Sequence, residues 1–336
     1  MNRRMFLATA AAAQAAPARI RIAFLGGTHS HAFAKASICK TSPDWDLAGV
    51  WEEDPQARKR YEQAGIPLIS QQQALDKTIR VVAVESEVRD HQSQAQMALE
   101  AGKHVHVEKP PAHTLDGMRT LVKLARAKNL LLQPGYMWRY HPAINTVLEA
   151  ARKGWLGEVY MIRGQINTLI SGDQRRELGR FKGGQMFELG PHLIDPIVRL
   201  LGRPQKVTPF LHRQGSIPDA LNDNTVAVLE YPRAMAVIQS STLQPGASGH
   251  RSFEVLGTNG TAMVRPIEPA TLEIDLAKAA GPYKQGRQTI PLPPYKRYVD
   301  DLVELAAAVR GEKKLSVSLD EEMLVEEVVL AASGQI

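Results

Sequence analysis

His104-Val105-His106-Val107-Glu108-Lys109-Pro110 alternates β-branched and polar residues before ending on an acid, a lysine and a proline. That alternation is how a short buried strand reads. The helical pattern ahead of it, Gln92–Ala101, stops at Gly102, the residue favoured just past a helix end. Pro110 and Pro111 lack the N–H that a strand ladder needs, so the strand finishes there. Lys109 is thereby placed at the carboxyl end of a strand, the edge at which open α/β sheets bind ligands. Taken alone, the stretch also allows Glu108 and Lys109 to be a solvated surface pair.

The segments on either side decide between these readings. Ile20–Leu25 is an apolar strand, followed by Gly26-Gly27-Thr28-His29-Ser30-His31 and a helical Ala32–Cys39. Strand Asp46–Trp51 ends on Glu52-Glu53-Asp54, and Pro55 suits the first turn of helix Pro55–Ala64. Strand Val81–Val84 closes on Glu85; helix Leu115–Lys128 and strand Leu130–Leu132 follow the quoted stretch. Strands and helices alternating through short links predict a right-handed, mostly parallel sheet of the Rossmann type.

Gly26 stands where such a fold turns tightly from strand to helix. The dinucleotide fingerprint G-x-G-x-x-G is not matched literally, because Thr28 and His31 occupy its second and third glycine positions. Thr28 offers a hydroxyl to a phosphate oxygen, and Glu52, ending the second strand, is placed to accept ribose hydroxyls. An acid there repels a 2′-phosphate, so NAD is expected over NADP; Arg58 and Lys59 are the phosphate partners of the opposite outcome. The candidate cofactor-binding set is Gly26, Gly27, Thr28, His31, Glu52, Glu85, Glu108, Lys109 and Pro110. No metal is expected, since His29 and His31 at i and i+2 share no helical face and no third ligand is near in sequence.

A chain of 336 residues suits two domains better than one core. The hydrophobic fraction of 44% describes a globular protein. The net charge is +6, but the basic residues are scattered and not interleaved with aromatics, which argues against a nucleic-acid partner. Cys39 is the only cysteine, excluding an internal disulfide and a thiolate cluster. Arg3-Arg4, the apolar run Phe6–Ala16 and the small-residue site Ala16-Pro17-Ala18 form the layout of an export signal of twin-arginine type. The alternative is an unstructured Ala-rich terminus. The apolar run is too short to span a bilayer, so no integral membrane segment is expected. The boundaries read as 1–18 for the signal, 19–135 for the dinucleotide-binding domain and 136–336 for a second domain.

The stretch Ala98–Pro110, ALEAGKHVHVEKP, together with the Gly-rich first turn and the acid ending strand two, resembles the glucose–fructose oxidoreductase, inositol dehydrogenase and MocA (Gfo/Idh/MocA) family. Tyr136–Pro142, YMWRYHP, resembles the family's entry into its second domain, and Gly183–Asp195, GGQMFELGPHLID, its third landmark. The resemblance implies a nicotinamide-dependent enzyme acting on sugars or polyols, with Lys109 near the reacting carbon. It places Arg139, Tyr140 and Asp195 among substrate-binding candidates. Family members usually carry Asp where this chain has Glu188.

Glu188 and His192 are four apart, so on one helix they face the same way, with Asp195 three further on. A carboxylate over an imidazole suits a general base. The expected roles are His192 as base, Glu188 as its orienter and Lys109 as donor to the forming oxyanion. From Gly157 the pattern is strand alternation (Val159–Ile170, Lys206–Arg213, Thr225–Tyr231, Met235–Leu243, Ser252–Leu256, Thr261–Arg265, Leu272–Leu276). The expected architecture is therefore α/β: a Rossmann-type parallel sheet, then an α+β domain with a large, mostly antiparallel sheet whose open face suits homo-oligomer contacts. Helices Tyr298–Arg310 and Leu319–Ala332 close the chain, one of them expected to return to the first domain. Two other functions are compatible with the same residues: a glycosidase or lyase working by transient oxidation and elimination on a retained NAD, and a non-enzymatic sugar or cofactor sensor.

Overall fold

The structure, a computed structural model, describes residues 18–336; the export signal expected over residues 1–18 lies outside the described residues apart from Ala18. Strands β1 (Ile20–Leu25), β2 (Trp45–Trp51), β3 (Val81–Val84), β4 (His104–Val107) and β5 (Leu132–Pro134) form one sheet in the order β2-β1-β3-β4-β5. Every pairing in it is parallel, as the alternating pattern requires. Helices α1 (Ala32–Thr41), α2 (Pro55–Gln63), the short α3 (Gln71–Ala74), α4 (His91–Glu100) and α5 (Leu115–Ala127) are the connections. Asp54 caps α2 by accepting from Ala57 N, and Thr114 caps α5 by accepting from Gly117 N.

Because β4 is pleated, its residues serve two layers. Val105 and Val107 join the core formed with α4 and α5, whereas His106 points to the opposite face. That second face packs on α1 and on α10 (Val299–Val309), whose Leu302, Leu305 and Ala306 are buried with Ile22 and Phe24. The returning helix is thus chiefly α10. Helix α11 (Leu319–Ala332) lies between α5 and the second domain.

The second domain begins with α6 (Pro142–Arg152) and β6 (Val159–Gln165), continues through α7 (Gly172–Leu178), α8 (Gln185–Glu188) and α9 (Pro191–Leu201), and then supplies β7 to β13. Those strands are Lys206–His212, Asn224–Glu230, Met235–Ser241, Ser252–Gly257, Gly260–Val264, Leu272–Leu276 and Gly286–Ile290 in chain order. The eight-stranded order is β13-β12-β11-β10-β6-β9-β8-β7. All neighbours are antiparallel except β6 and β9, which belong to separate crossovers. Edge strand β13 was not expected from sequence, because its alternation is carried by polar residues. The inner face of this sheet packs on α6, α8 and α9, and this layer brings α8 and α9 up to the carboxyl edge of the parallel sheet. No described helix is long and apolar enough to cross a membrane.

Candidate active site

The strand-to-helix turn is shaped by crowding. Gly26 has φ +80°, and a Cβ there would lie 2.5 Å from the Ser86 backbone; one on Gly27 would lie 2.6 Å from the Tyr61 ring. Tyr61 in turn donates its hydroxyl to Gly27 O at 2.9 Å. Glu52 fixes the turn from below. Its carboxylate accepts from Gly27 N at 2.6 Å, Glu53 N at 2.7 Å and Asp54 N at 2.8 Å. Three amides leave the carboxylate about one further acceptor direction, so the acid expected to meet a ribose is first a latch for the turn. It also borders a groove formed with Trp51, Arg58, Leu68, Ile69 and Ser70.

Among the described residues the amides of Thr28 and Ser30 have no partner, and α1 starts just beyond them. Free amides at a helix start, two glycines that no other residue could replace in place, and an acid at the second strand end fit a dinucleotide. Gly26, Gly27, Thr28, His31 and Glu52 would hold it.

Below this turn lies a buried cluster that sequence reading missed. Lys35 on α1 is fully buried, and its ammonium meets Glu108 Oε1 at 2.5 Å, Glu85 Oε1 at 2.7 Å and His106 Nε2 at 2.8 Å. His106 Nδ1 faces Gln133 Oε1 at 2.9 Å. One tautomer satisfies both contacts, with Nδ1–H donating to Gln133 and Nε2 accepting from Lys35. Burial and then the Lys35 charge hold His106 down to about 3, which keeps that neutral form. Burial alone would lower Lys35, but Glu108 and Glu85 outweigh it and raise its affinity for the proton. Of the two carboxylates on one cation, Glu85 is pushed up to about 8 by burial, with Lys35 opposing and Glu108 adding. Glu108 goes the other way: burial would raise it, but Lys35 and the His31 and His29 imidazoles hold it well below the usual range.

Glu85 and Glu108 were expected to line the cofactor. Both are fully buried and their side chains serve Lys35 instead, because a buried ammonium demands compensation. Both still touch the turn above, Glu85 through its carbonyl, which accepts from His29 N at 3.2 Å, and Glu108 through His31 Nδ1 at 3.0 Å. The contact between the His29 and His31 rings, centroids 4.6 Å apart, was also not foreseen; with Glu108 they form a group of ligand-type atoms. The oxygen that would bind a cation there already accepts from Lys35, and a second such group, Glu85, His106 and Glu108, surrounds the Lys35 ammonium itself. The cluster is built around a protonated amine.

Lys109 leaves β4 at the edge and crosses to the second domain. Its ammonium donates to Glu188 O at 2.6 Å and Glu188 Oε1 at 2.7 Å, and among the described residues its third N–H has no partner. The Pro110 carbonyl faces His91 Nδ1 at 2.9 Å, which anchors the chain after Lys109.

The expected stacking of Glu188 on His192 does not occur. Pro191 has no N–H to continue α8, and the chain breaks at Gly190, where a Cβ would lie 2.3 Å from Met186 O. Glu188 therefore ends one helix and His192 opens the next. Glu188 turns to Lys109, leaving Oε2 without a partner, and His192 Nδ1 is buried with none. The His192 ring leans on Trp138, centroids 5.2 Å apart. Burial, then Lys109 and His31, lower its proton affinity well below the ordinary value, so the imidazole is neutral near pH 7.

Glu188 and His192 line a cavity of about 440 Å³ between the two domains, with Thr28, His29 and His31 on one wall and Gln174, Gln185, Arg251 and Arg297 on the others. Arg139, Tyr140 and Asp195, expected at the substrate, do not line it. Arg139 is buried between Asp195 (Nε to Oδ1, 2.8 Å) and Glu322 on α11 (2.5 and 2.7 Å). Tyr140 donates to Glu304 on α10 at 2.5 Å. These groups tie the closing helices to the domain junction, a role invisible to a reading that lacked partners 183 and 164 residues away.

Comparison with known proteins agrees with this geometry. Residues 20–136 match the family model for the oxidoreductase family, NAD-binding Rossmann fold, and residues 144–263 the GFO/IDH/MocA C-terminal domain. An uncharacterised oxidoreductase of Schizosaccharomyces pombe is 27% identical over 77% of this chain and 73% of its own length. Trans-1,2-dihydrobenzene-1,2-diol dehydrogenase of Bos taurus is 25% identical over 66% of this chain and 63% of its own. Among solved structures, GenD2 from gentamicin A biosynthesis in complex with NAD superposes with a TM-score of 0.79 at 23% identity, covering 96% of this chain and 95% of that one. UDP-N-acetylglucosamine 3-dehydrogenase from Acidithiobacillus ferrooxidans gives 0.78 at 18%, covering 95% and 98%. A parallel sheet with a latched glycine turn, a lysine at its fourth strand end, and two matching family models over both domains make this chain an NAD(P)-dependent oxidoreductase of the Gfo/Idh/MocA family.

Proposed function

We propose that the enzyme oxidises a hydroxyl of a sugar, polyol or sugar derivative, using NAD in preference to NADP. The observation that carries this reading is a neutral histidine lining the interdomain cavity together with Glu188, the residue that binds the ammonium of Lys109 at the end of the parallel sheet. Nicotinamide, when bound, accepts the electron pair and hydrogen lost by the carbinol carbon. His192, neutral and lining the cavity, takes the hydroxyl proton. Lys109 donates its remaining N–H to the oxygen on which charge develops. Glu188 holds Lys109 in place and does not orient the base. Glu52 supports the NAD preference through the charge it sets beside the groove of Arg58 and Ser70.

The test is native purification followed by assay of bound nicotinamide, then addition of a panel of sugars and polyols with NAD or NADP. Accumulating reduced nicotinamide, faster with NAD, is the expected result. Aglycone released from a glycoside without net reduction would replace it with the redox-neutral elimination. No response to any sugar or polyol would overturn the substrate class.

A further inference from the structure

Among the described residues, one charge lining the active-site cavity has no counter-charge paired with it. Of the carboxylates lining it, Glu87 meets Arg89 at 2.9 Å, Glu177 meets Arg180 at 3.2 Å and Glu188 meets Lys109 at 2.7 Å. Of its two arginines, Arg297 is paired with Glu268. Arg251 has no carboxylate partner among the described residues, and its single hydrogen bond runs from Nε to Asn167 O at 3.2 Å. Both terminal nitrogens of the guanidinium are left over.

This arginine is not a surface side chain adrift. It is part-buried, it directly precedes β10, and β10 is paired on both sides, with Ser252 opposite Gln165 of β6. Its charge is felt at His192, whose proton affinity it helps to lower. The same wall carries Gln185, 1% exposed, whose Oε1 has no partner, as do Glu188 Oε2 and His192 Nδ1. Those three atoms belong to residues that line the cavity beside Arg251. A planar guanidinium with two free N–H edges matches a carboxylate in a fork-to-fork pair. Out of bulk water such a pair is weakly screened, which makes it selective for charged over neutral ligands.

We propose that the substrate is an anionic hydroxy compound of the sugar-acid class, its carboxylate seated on Arg251 while its reacting hydroxyl lies between Lys109 and His192. This rests on the reading of the cavity as a hydroxyl-oxidising site and adds the ligand's charge to it. A neutral sugar would leave Arg251 to water alone.

The test is calorimetric titration of the NAD-loaded protein with a panel of hexuronates, the matching hexoses and the hexose 6-phosphates, for wild type and Arg251→Gln. The expected result is tighter binding of a hexuronate than of its hexose. Arg251→Gln should abolish that difference, weakening the acid by about 30-fold, while hexose and NAD affinities stay unchanged. Equal binding of acid and neutral sugar, or no binding of any hexuronate, overturns the proposal. Tighter binding of the 6-phosphate than of the uronate overturns the carboxylate assignment. Parallel loss of NAD affinity in Arg251→Gln would assign the arginine to the cofactor and overturn it too. A hexuronate that binds through Arg251 but yields no reduced nicotinamide would leave this inference standing and defeat the proposed oxidation.

Discussion

His192 sits in a setting that makes it a weak but fully available base. Burial and the Lys109 charge hold its proton affinity well below the usual 6.5, and a base acts only when neutral. We therefore expect kcat/KM to stay level from about pH 8 to about pH 6.5, falling only at lower pH as the imidazole takes up a proton. His192→Asn should cost about 10²–10⁴ in rate and remove that acid limb; an unchanged limb would assign it to another group. Lys109 and His192 could be read from the chain because each stands beside a proline that fixes where its element starts or stops. Lys35 was overlooked, although a sign was there. It shares the helical stripe Ala32, Ala36 and Cys39 at i, i+3, i+4, i+7, all buried. A charge in an apolar stripe calls for a buried partner, and Glu85, ending four consecutive buried residues, is one of them. Arg139 and Asp195 were misassigned for the complementary reason: their balancing Glu322 comes from the last helix.

Element by element, most of the parallel sheet was legible, because buried strands are continuous apolar runs and α2 and α5 carry capping residues. The junction between α8 and α9 was not. Spacing by four implies a shared face only if the helix is continuous, and Gly190-Pro191 interrupts it. Nor could the sequence tell which closing helix returns, since both are amphipathic. The structure gives that task chiefly to α10, with Leu305 fully buried against the β1 and β3 face. Leu305→Ala should destabilise the first domain by about 2–5 kcal/mol, measured by denaturant unfolding. The same substitution should weaken NAD binding far less than it lowers stability, because Leu305 does not line the groove beside Glu52. A purely local effect on the second domain would contradict that packing.

At the scale of the molecule, the outer face of the large sheet is partly apolar, with Tyr160, Phe210 and Met235 about half exposed. Phe210 lies opposite Val226 and Met235 opposite Met161. We expect a second copy to cover this face, and Phe210→Asp to lower the molar mass found by sedimentation; a wild-type monomer would refute the pairing. Export is the other whole-chain expectation. An enzyme that must acquire a cytoplasmic cofactor has to travel folded, and Arg3 and Arg4 suit such a route. Replacing both with Lys should keep active protein in the cytoplasm; wild type found there with Met1–Ala18 attached would end the idea. The single cysteine gives a means of watching the assembled layers breathe. Cys39 is fully buried between α1, the parallel sheet and α10, and burial first of all raises its thiol pKa. A thiol reagent can react only with molecules in which that layer has opened. The labelling rate is therefore a stopwatch on local unfolding, needing no engineered probe, and occupancy of the turn that leads into α1 should slow it.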